Sequence, residues 1–223
     1  MVAELDPAPT KIVCVGKNYV EHARELGGEP PAEPLFFLKP PSALISDGEA
    51  ILLPPGAGQV HYEGEVTFQV GKRASHVSES EALDYLSSVL PLNDVTARDL
   101  QNLDNQWTRA KGFDTFCAVG SPVPLDGIDI RDLRVETRVN GELRQDGQFS
   151  DVVFGIEILV SYISRVMTLE PGDLIATGTP SGVGSLVPSD VVEVNIPGVG
   201  AVRNPVQAGL GQAWPYGARG ARD

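Results

Sequence analysis

Residues 61–70, HYEGEVTFQV, alternate without a break. In an extended chain successive side chains point to opposite faces. Tyr62, Gly64, Val66, Phe68 and Val70 therefore share one apolar face, and His61, Glu63, Glu65, Thr67 and Gln69 share the other. A period of two specifies a strand. Taken alone, the polar face reads as a solvent face, since half-buried strands have this pattern. The alternative is chemical. Glu63 and Glu65 are two residues apart, which sets their Cβ atoms roughly 7 Å apart on one face. Two such carboxylates are able to converge on one ion.

The chain has 223 residues, enough for a sizeable core in one large domain or two small ones. Its formal net charge of −13 argues against nucleic acid and anionic membranes as partners, because both require a basic footprint. A small anionic substrate would then need a local positive centre, a metal or a placed lysine. The first residues, MVAELDPAPT, lack the basic and apolar regions of a signal peptide, and no apolar run approaches a membrane span. The expectation is a soluble, cytoplasmic chain. Cys14 and Cys117 form no CxxC pair, so reduced core thiols are expected.

Glycine and proline punctuate the whole chain, which suits many short strands joined by turns. KIVCVG, PLFFLKP and AILLP read as short strands. NYVEHAREL reads as a short helix capped by Asn18 and stopped at Gly27–Gly28. SESEALDYLSSVLPL reads as a helix capped by Ser78 or Ser80, and TARDLQNLD as another capped by Thr96. Further on, LRVETRVNGELRQDG is a hairpin about Asn140–Gly141. VVFGIEILVSYISRVMTL has helical spacing, LIATGTP is a strand, and VVEVNIPGVGAVRNPV is a second hairpin turning at Pro197–Gly198. The Gly/Ala-rich end, residues 208–223, reads as a C-terminal tail outside the core. The mixed order predicts a β-rich α+β fold and disfavours a doubly wound sheet.

Several chemistries are absent. There is no dinucleotide fingerprint, no GxSxG elbow, and TGTPSGVGS lacks the GK[ST] ending of a phosphate loop. His22, His61 and His76 are too scattered for HExxH zinc chemistry. Carboxylates, one helical histidine and a few lysines remain, a set that suits a hard divalent cation held by oxygen.

GKNYVEHARELG, FLKP, VHYEGEVTFQVGK, NDVTARDLQ, WTRAKGFDTFCAVG, QDG followed by FSDVVF, and GDLIATGTPSGVG stand in this order. Together they closely resemble the fumarylacetoacetate hydrolase family, best its small acylpyruvase-like and hydroxyhepta-diene-dioate isomerase-like branch, over roughly residues 11–207, which implies a single catalytic domain there with residues 1–10 as an N-terminal extension. The resemblance implies a mixed β-sandwich roll, a homodimer, a Mg²⁺ or Mn²⁺ site, and 2-oxo or β-diketo acid substrates. It implies Glu63, Glu65 and Asp94 as metal ligands. It implies His22 and Glu25 as a general-base pair on a lid helix, and Lys111 as the cation that stabilises an enolate. Lys17, Gln101 and Thr179 are implied in substrate binding, with the amides beside Thr179 as a carboxylate clamp. Arg98 reads as a structural partner of Asp99, and His61 as an ordinary residue near the metal.

The resulting reading is a divalent-metal-dependent hydrolase that cleaves C–C bonds of acylpyruvates or β-diketo acids through an enolate. The alternatives are an oxaloacetate decarboxylase, a hydroxymuconate-type isomerase of aromatic catabolism, and a catalytically silent metal-binding module. Two departures from the family pattern stand out. Gln148 and Phe149 follow QDG where Asn-Thr is usual, and Lys17 stands where Arg is common, which removes a bidentate fork.

Overall fold

The computed structural model describes residues 5–25 and 27–211. The largest sheet runs in the order β2 (Leu35–Lys39), β1 (Ile12–Gly16), β13 (Leu174–Ala176), β6 (Gly64–Val70), β7 (Leu86–Asp94), β9 (Cys117–Val119) and β3 (Leu44–Ile45), with β10 (Val123–Pro124) beside β7. A second sheet orders β12 (Glu142–Gln148), β11 (Arg134–Val139), β15 (Val191–Ile196), β16 (Gly200–Ala208) and β4 (Ile51–Leu53). A third, small sheet joins β14 (Gly184–Ser185), β5 (Val60–Tyr62) and β8 (Thr96–Ala97). Four α-helices accompany them among the described residues: α1 (Val20–Glu25), α2 (Arg98–Leu103), α3 (Thr108–Lys111) and α4 (Ile156–Val166). This is the strand-rich α+β architecture expected from the sequence. None of these helices is long and apolar enough to cross a membrane.

The run 61–70 is not one strand. It breaks at Glu63, where the chain leaves the small sheet as β5 and enters the large one as β6. Nor does its polar face meet solvent. Glu65, Thr67 and Gln69 are buried, on the same side of the sheet as Ile12, Cys14, Leu90, Leu92, Leu174 and Ala176. The opposite side of β6 packs Val66, Phe68 and Val70 into the main core with Val135, Val194 and Ile163. Both faces are thus covered, so alternation alone misassigns the polar one. Gly64 follows the break. A Cβ there would lie 2.1 Å from Thr137 Oγ1, so only glycine fits between the two glutamates.

Residues 78–92 depart from the expected helix. They form a 3-10 turn, Glu79–Tyr85, and then the long strand β7. Pro91 is tolerated poorly within a helix, and VLPL, buried on both faces, behaves as a central strand. Both hairpins form as expected. Asn140 and Gly141 take positive φ (53° and 83°), the geometry of a type I′ turn. Helix α4 also forms, burying Ile156, Leu159, Val160 and Ile163. The thiols of Cys14 and Cys117 are free and buried. The expected tail over 208–223 lies mostly outside the described residues.

The N-terminal segment is tied down by Asp173, which is fully buried. Its carboxylate accepts from Thr10 N–H and Oγ1, from Lys11 N–H and Nζ, and from Glu170 N–H. Burial opposes its charge, but these donors win and hold its carboxyl below the usual carboxylate range. A depressed folded-state pKa contributes stability above the unfolded value and loses it as pH falls. Asp173→Asn is therefore expected to lower stability by about 1–3 kcal/mol near neutral pH. The difference from wild type should shrink below about pH 4. Chemical denaturation of both proteins across that range checks it, and a pH-independent difference would contradict the assignment.

Candidate active site

Three acids, two on strands and one at a strand break, meet where the large and small sheets join. One ligand oxygen from each of Glu63, Glu65 and Asp94 lies within 4.8 Å of the others, and all three residues are buried. Glu63 sits at the β5–β6 break, Glu65 on β6 and Asp94 at the end of β7. The backbone fixes them. Asp94 N–H donates to Glu63 O at 2.8 Å, and Glu63 N–H donates to Asn93 Oδ1 at 2.9 Å.

Cations surround this trio unevenly. Lys111, on α3, donates to Glu63 Oε2 at 2.8 Å and to Asp94 Oδ2 at 2.6 Å. Lys39, at the end of β2, donates to Asp94 Oδ1 at 2.5 Å and to Val95 O at 3.1 Å. Arg98 bonds Glu63 Oε1 and Gln101 Oε1. Among the described residues, the Glu65 carboxylate accepts only the Gly178 N–H, at 2.7 Å. Burial disfavours the charge on Glu63, yet Lys111 and Arg98 hold its carboxyl below the usual range. For Glu65, burial and the neighbouring Asp94 and Glu63 act together and push the carboxyl well above it. Three cations thus balance three acids in number, but all of them bond Glu63 or Asp94, and Glu65 has no cation bonded to it among the described residues. Three buried hard oxygen donors within 4.8 Å, one of them without a cationic partner, fit a divalent cation such as Mg²⁺ or Mn²⁺.

His22 lies on α1 and is buried. Its Nδ1 is 3.0 Å from Glu25 Oε2. A carboxylate only accepts, so Nδ1 carries the proton and Nε2 is left available. Glu25 Oε1 in turn accepts Gly182 N–H at 3.1 Å. The i, i+3 spacing on a helix makes the pair possible. Asn18 is not the cap of this helix. Its side chain donates to Phe154 O and Thr177 O and accepts from Phe154 N–H, which pins the preceding loop. The other end closes as expected, with Gly27 N–H on Arg24 O and Gly28 N–H on Ala23 O, a Schellman pattern.

Eight of the nine sequence-predicted site residues line one cleft: Lys17, His22, Glu63, Glu65, Asp94, Gln101, Lys111 and Thr179. Glu25 joins through His22. Three details differ from expectation. Arg98 pairs with Glu63 and not with Asp99, which accepts Gln59 N–H instead. Thr96 does not cap α2, because its hydroxyl donates to Asp94 O. The Thr179 hydroxyl is committed within the protein, donating to Gly64 O at 2.9 Å and accepting from Gln145 Nε2 at 2.7 Å. Sequence reasoning missed roles for Lys39, Asn93 and Gln145. The signals were a lysine inside the apolar run LFFLKP and two amides at strand positions. It also missed the apolar wall of Phe37 and Trp107, whose rings meet edge to face at 5.3 Å.

A buried acid trio with a helical His–Glu pair at the same cleft is the arrangement that the family resemblance implies. A family profile described as fumarylacetoacetate (FAA) hydrolase C-terminal matches residues 11–207. The chain belongs to the fumarylacetoacetate hydrolase family. Among its relatives, a mitochondrial oxaloacetate tautomerase, FAHD1, of Bos taurus is 42% identical over 201 residues, covering 88% of this chain and 91% of that protein. A 5-carboxymethyl-2-hydroxymuconate delta-isomerase from Mycobacterium smegmatis superposes with a TM-score of 0.84 at 42% identity, covering 92% and 80% of the two chains. A fumarylpyruvate hydrolase from Pseudomonas aeruginosa, solved with Mn²⁺ and pyruvate, superposes with a TM-score of 0.84 at 31% identity, covering 89% of each chain. Members of this family are divalent-metal-dependent enzymes with hydrolase, isomerase or decarboxylase activity.

The cleft closes on about 20 Å³, room for about one water. Any organic acid must therefore move part of the wall. Helix α1 has six residues, and helices that short are marginal without tertiary contacts. Amide exchange over residues 20–25 is expected to slow by about tenfold or more when Mn²⁺ and oxalate are added together, as an opening equilibrium is suppressed. Unchanged exchange would mean that another wall moves. Glu65→Gln removes a charge and keeps the shape. Because supporting contacts alone are worth about 10–100-fold in metal affinity, its Mn²⁺ affinity is expected to fall at least that far by titration calorimetry.

Proposed function

We propose that this chain is a divalent-metal-dependent enzyme that moves protons on short 2-oxo dicarboxylic acids, interconverting keto and enol forms. The observation that carries the proposal is the His22–Glu25 pair lining the same cleft as the Glu63–Glu65–Asp94 trio. Glu63, Glu65 and Asp94 are proposed to hold Mg²⁺ or Mn²⁺. Such an ion, when bound, polarises a 2-oxo group and offsets developing negative charge.

Charge supports a dianionic substrate. The carboxylates of Glu25, Glu63, Glu65 and Asp94 are matched one for one by Lys17, Lys39, Arg98 and Lys111. A divalent cation then leaves the loaded cleft doubly positive, which two substrate carboxylates neutralise. Lys17 makes no ion pair among the described residues, although it lines the cleft, and it is assigned to a substrate carboxylate. Gln101, whose carbonyl oxygen is held by Arg98, keeps its NH₂ for a substrate oxygen. The Thr179 segment contributes backbone amides, since its hydroxyl is already bonded.

His22 Nε2 takes a proton from the carbon beside the 2-oxo group and returns one to the enolate oxygen, or the reverse. Glu25 holds the ring through Nδ1 and stabilises the imidazolium. Lys111 places a buried ammonium beside the reacting group, where burial strengthens its hold on an enolate. Phe37 and Trp107 keep water from that side. The more similar relatives, the tautomerase and the isomerase, support this order of preference.

C–C hydrolysis of acylpyruvates is the second reading. The water-sized space in the cleft favours it, because His22 could activate a water there, and so does the likeness to fumarylpyruvate hydrolase. The exposed Leu35 and Leu38 on edge strand β2 support the expected homodimer.

His22→Ala is expected to lower turnover by about 10²–10⁴-fold in oxaloacetate enol–keto conversion, the range for a missing general base. Metal-assisted oxaloacetate decarboxylation, which needs an electron sink and no base, is expected to survive better. Lys111→Ala should damage both. Enol absorbance decay and pyruvate release, measured with wild type and both variants, separate the cases. Equal loss of both activities in His22→Ala would contradict the assigned base. Turnover of acylpyruvates alone would establish the second reading.

A further inference from the structure

Gln145 lies on β12 and is 1% exposed. It is not part of the cleft wall. Its amide nevertheless makes three hydrogen bonds, each to the backbone or side chain of a segment that carries the site. Oε1 accepts Gly64 N–H at 3.0 Å. Nε2 donates to Thr179 Oγ1 at 2.7 Å and to Pro180 O at 2.8 Å. Thr179 Oγ1 donates back to Gly64 O at 2.9 Å. The N–H and the carbonyl of Gly64, the residue between Glu63 and Glu65, are therefore both held by one small network. The segment clamped on the other side, residues 178–182, holds two carboxylates of its own: Gly178 N–H donates to Glu65 Oε2, and Gly182 N–H donates to Glu25 Oε1.

We propose that Gln145 is a positioning residue, one that locks segment 178–182 onto Gly64 and thereby sets Glu65 and Glu25 relative to Glu63. The role depends on an amide. Only Gln or Asn offers an acceptor for Gly64 and two donors for the loop in one planar group, and Asn is one methylene shorter. Without the amide, Gly64 N–H, Thr179 Oγ1 and Pro180 O lose a partner together. The loop is then free to shift, and each carboxylate that it holds shifts with it. A buried amide that only filled space would leave the acids where they are. This inference rests on the reading that Glu63, Glu65 and Asp94 hold a divalent cation.

The test is titration of Mn²⁺ into the full-length chain by calorimetry, with thermal unfolding in its presence and absence. Gln145→Met, close in length but without hydrogen-bonding groups, is expected to weaken Mn²⁺ binding by about 10–100-fold. Thr179→Val, which breaks the same network by one hydroxyl, is expected to weaken it by about tenfold. The double variant should be no weaker than Gln145→Met, because both changes act through the Gly64 peptide. A Kd for Gln145→Met within about twofold of wild type, with unfolding temperature lowered equally with and without Mn²⁺, overturns the proposal and leaves Gln145 a packing residue. Should Gln145→Met fail to fold, Thr179→Val decides alone, and an unchanged Kd overturns the proposal. A wild-type chain that binds no Mn²⁺ overturns the metal reading instead.

Discussion

Lys111 bonds Glu63 and Asp94 with one buried ammonium, and the rest of the site is arranged around that contact. Burying two carboxylates and an ammonium is costly unless each is paired and hydrogen-bonded. Here Arg98 takes the second oxygen of Glu63 and Lys39 the second oxygen of Asp94. The cations come from β2, α2 and α3, while the acids come from the β5–β6 break and β7. Bringing them together requires the whole order of the large sheet, with β2 at one edge and β6 and β7 side by side. Removing one partner would strand a buried charge, which is far more damaging than losing a surface pair. Only Glu65 stands outside this pairing, and that asymmetry is the structural ground for a bound cation.

The proposed site therefore divides between sheet-held acids and a base on a short helix. Glu65 and Asp94 sit on strands of a sheet buried on both faces and Glu63 at the break between two strands, which resists displacement. The His22–Glu25 pair sits on a six-residue helix and meets the rest of the site through Glu25 and Gly182. A metal held by such acids, with its base on a helix able to move, would suit chemistry in which substrate enters a cleft that otherwise holds about one water. The same parts serve tautomerisation and hydrolysis. In the proposed reading the difference is whether His22 acts on a substrate carbon or on a water, in keeping with one fold hosting several reactions.

Much of this was legible in the chain. The period of two across 61–70 placed Glu63 and Glu65 on one side, and the i, i+3 spacing paired His22 with Glu25. The Asn140–Gly141 turn and helix α4 followed from local chemistry alone. What failed did so for identifiable reasons. Alternation cannot tell a solvent face from a buried polar one, so Thr67 and Gln69 looked exposed. The capping signal at Asn18 lost to a tertiary partner 136 residues away, Phe154, and that at Thr96 to a competing local bond from its hydroxyl to Asp94 O. The 78–92 segment has helical composition at its start, but burial on both faces and Pro91 made its second half a strand. Lys39 and Gln145 could not be assigned from sequence, because their partners lie 55 and 81 residues distant.

The central claim is that this fold holds one divalent cation between Glu63, Glu65 and Asp94, within reach of His22. Anomalous diffraction at the manganese edge from crystals soaked in Mn²⁺ tests it most directly. The account predicts one strong peak at about 2.0–2.3 Å from an oxygen of each of the three acids, the range for oxygen ligands of such ions. Density there accounted for by the Lys111 ammonium alone, with manganese absent or bound elsewhere, would contradict it.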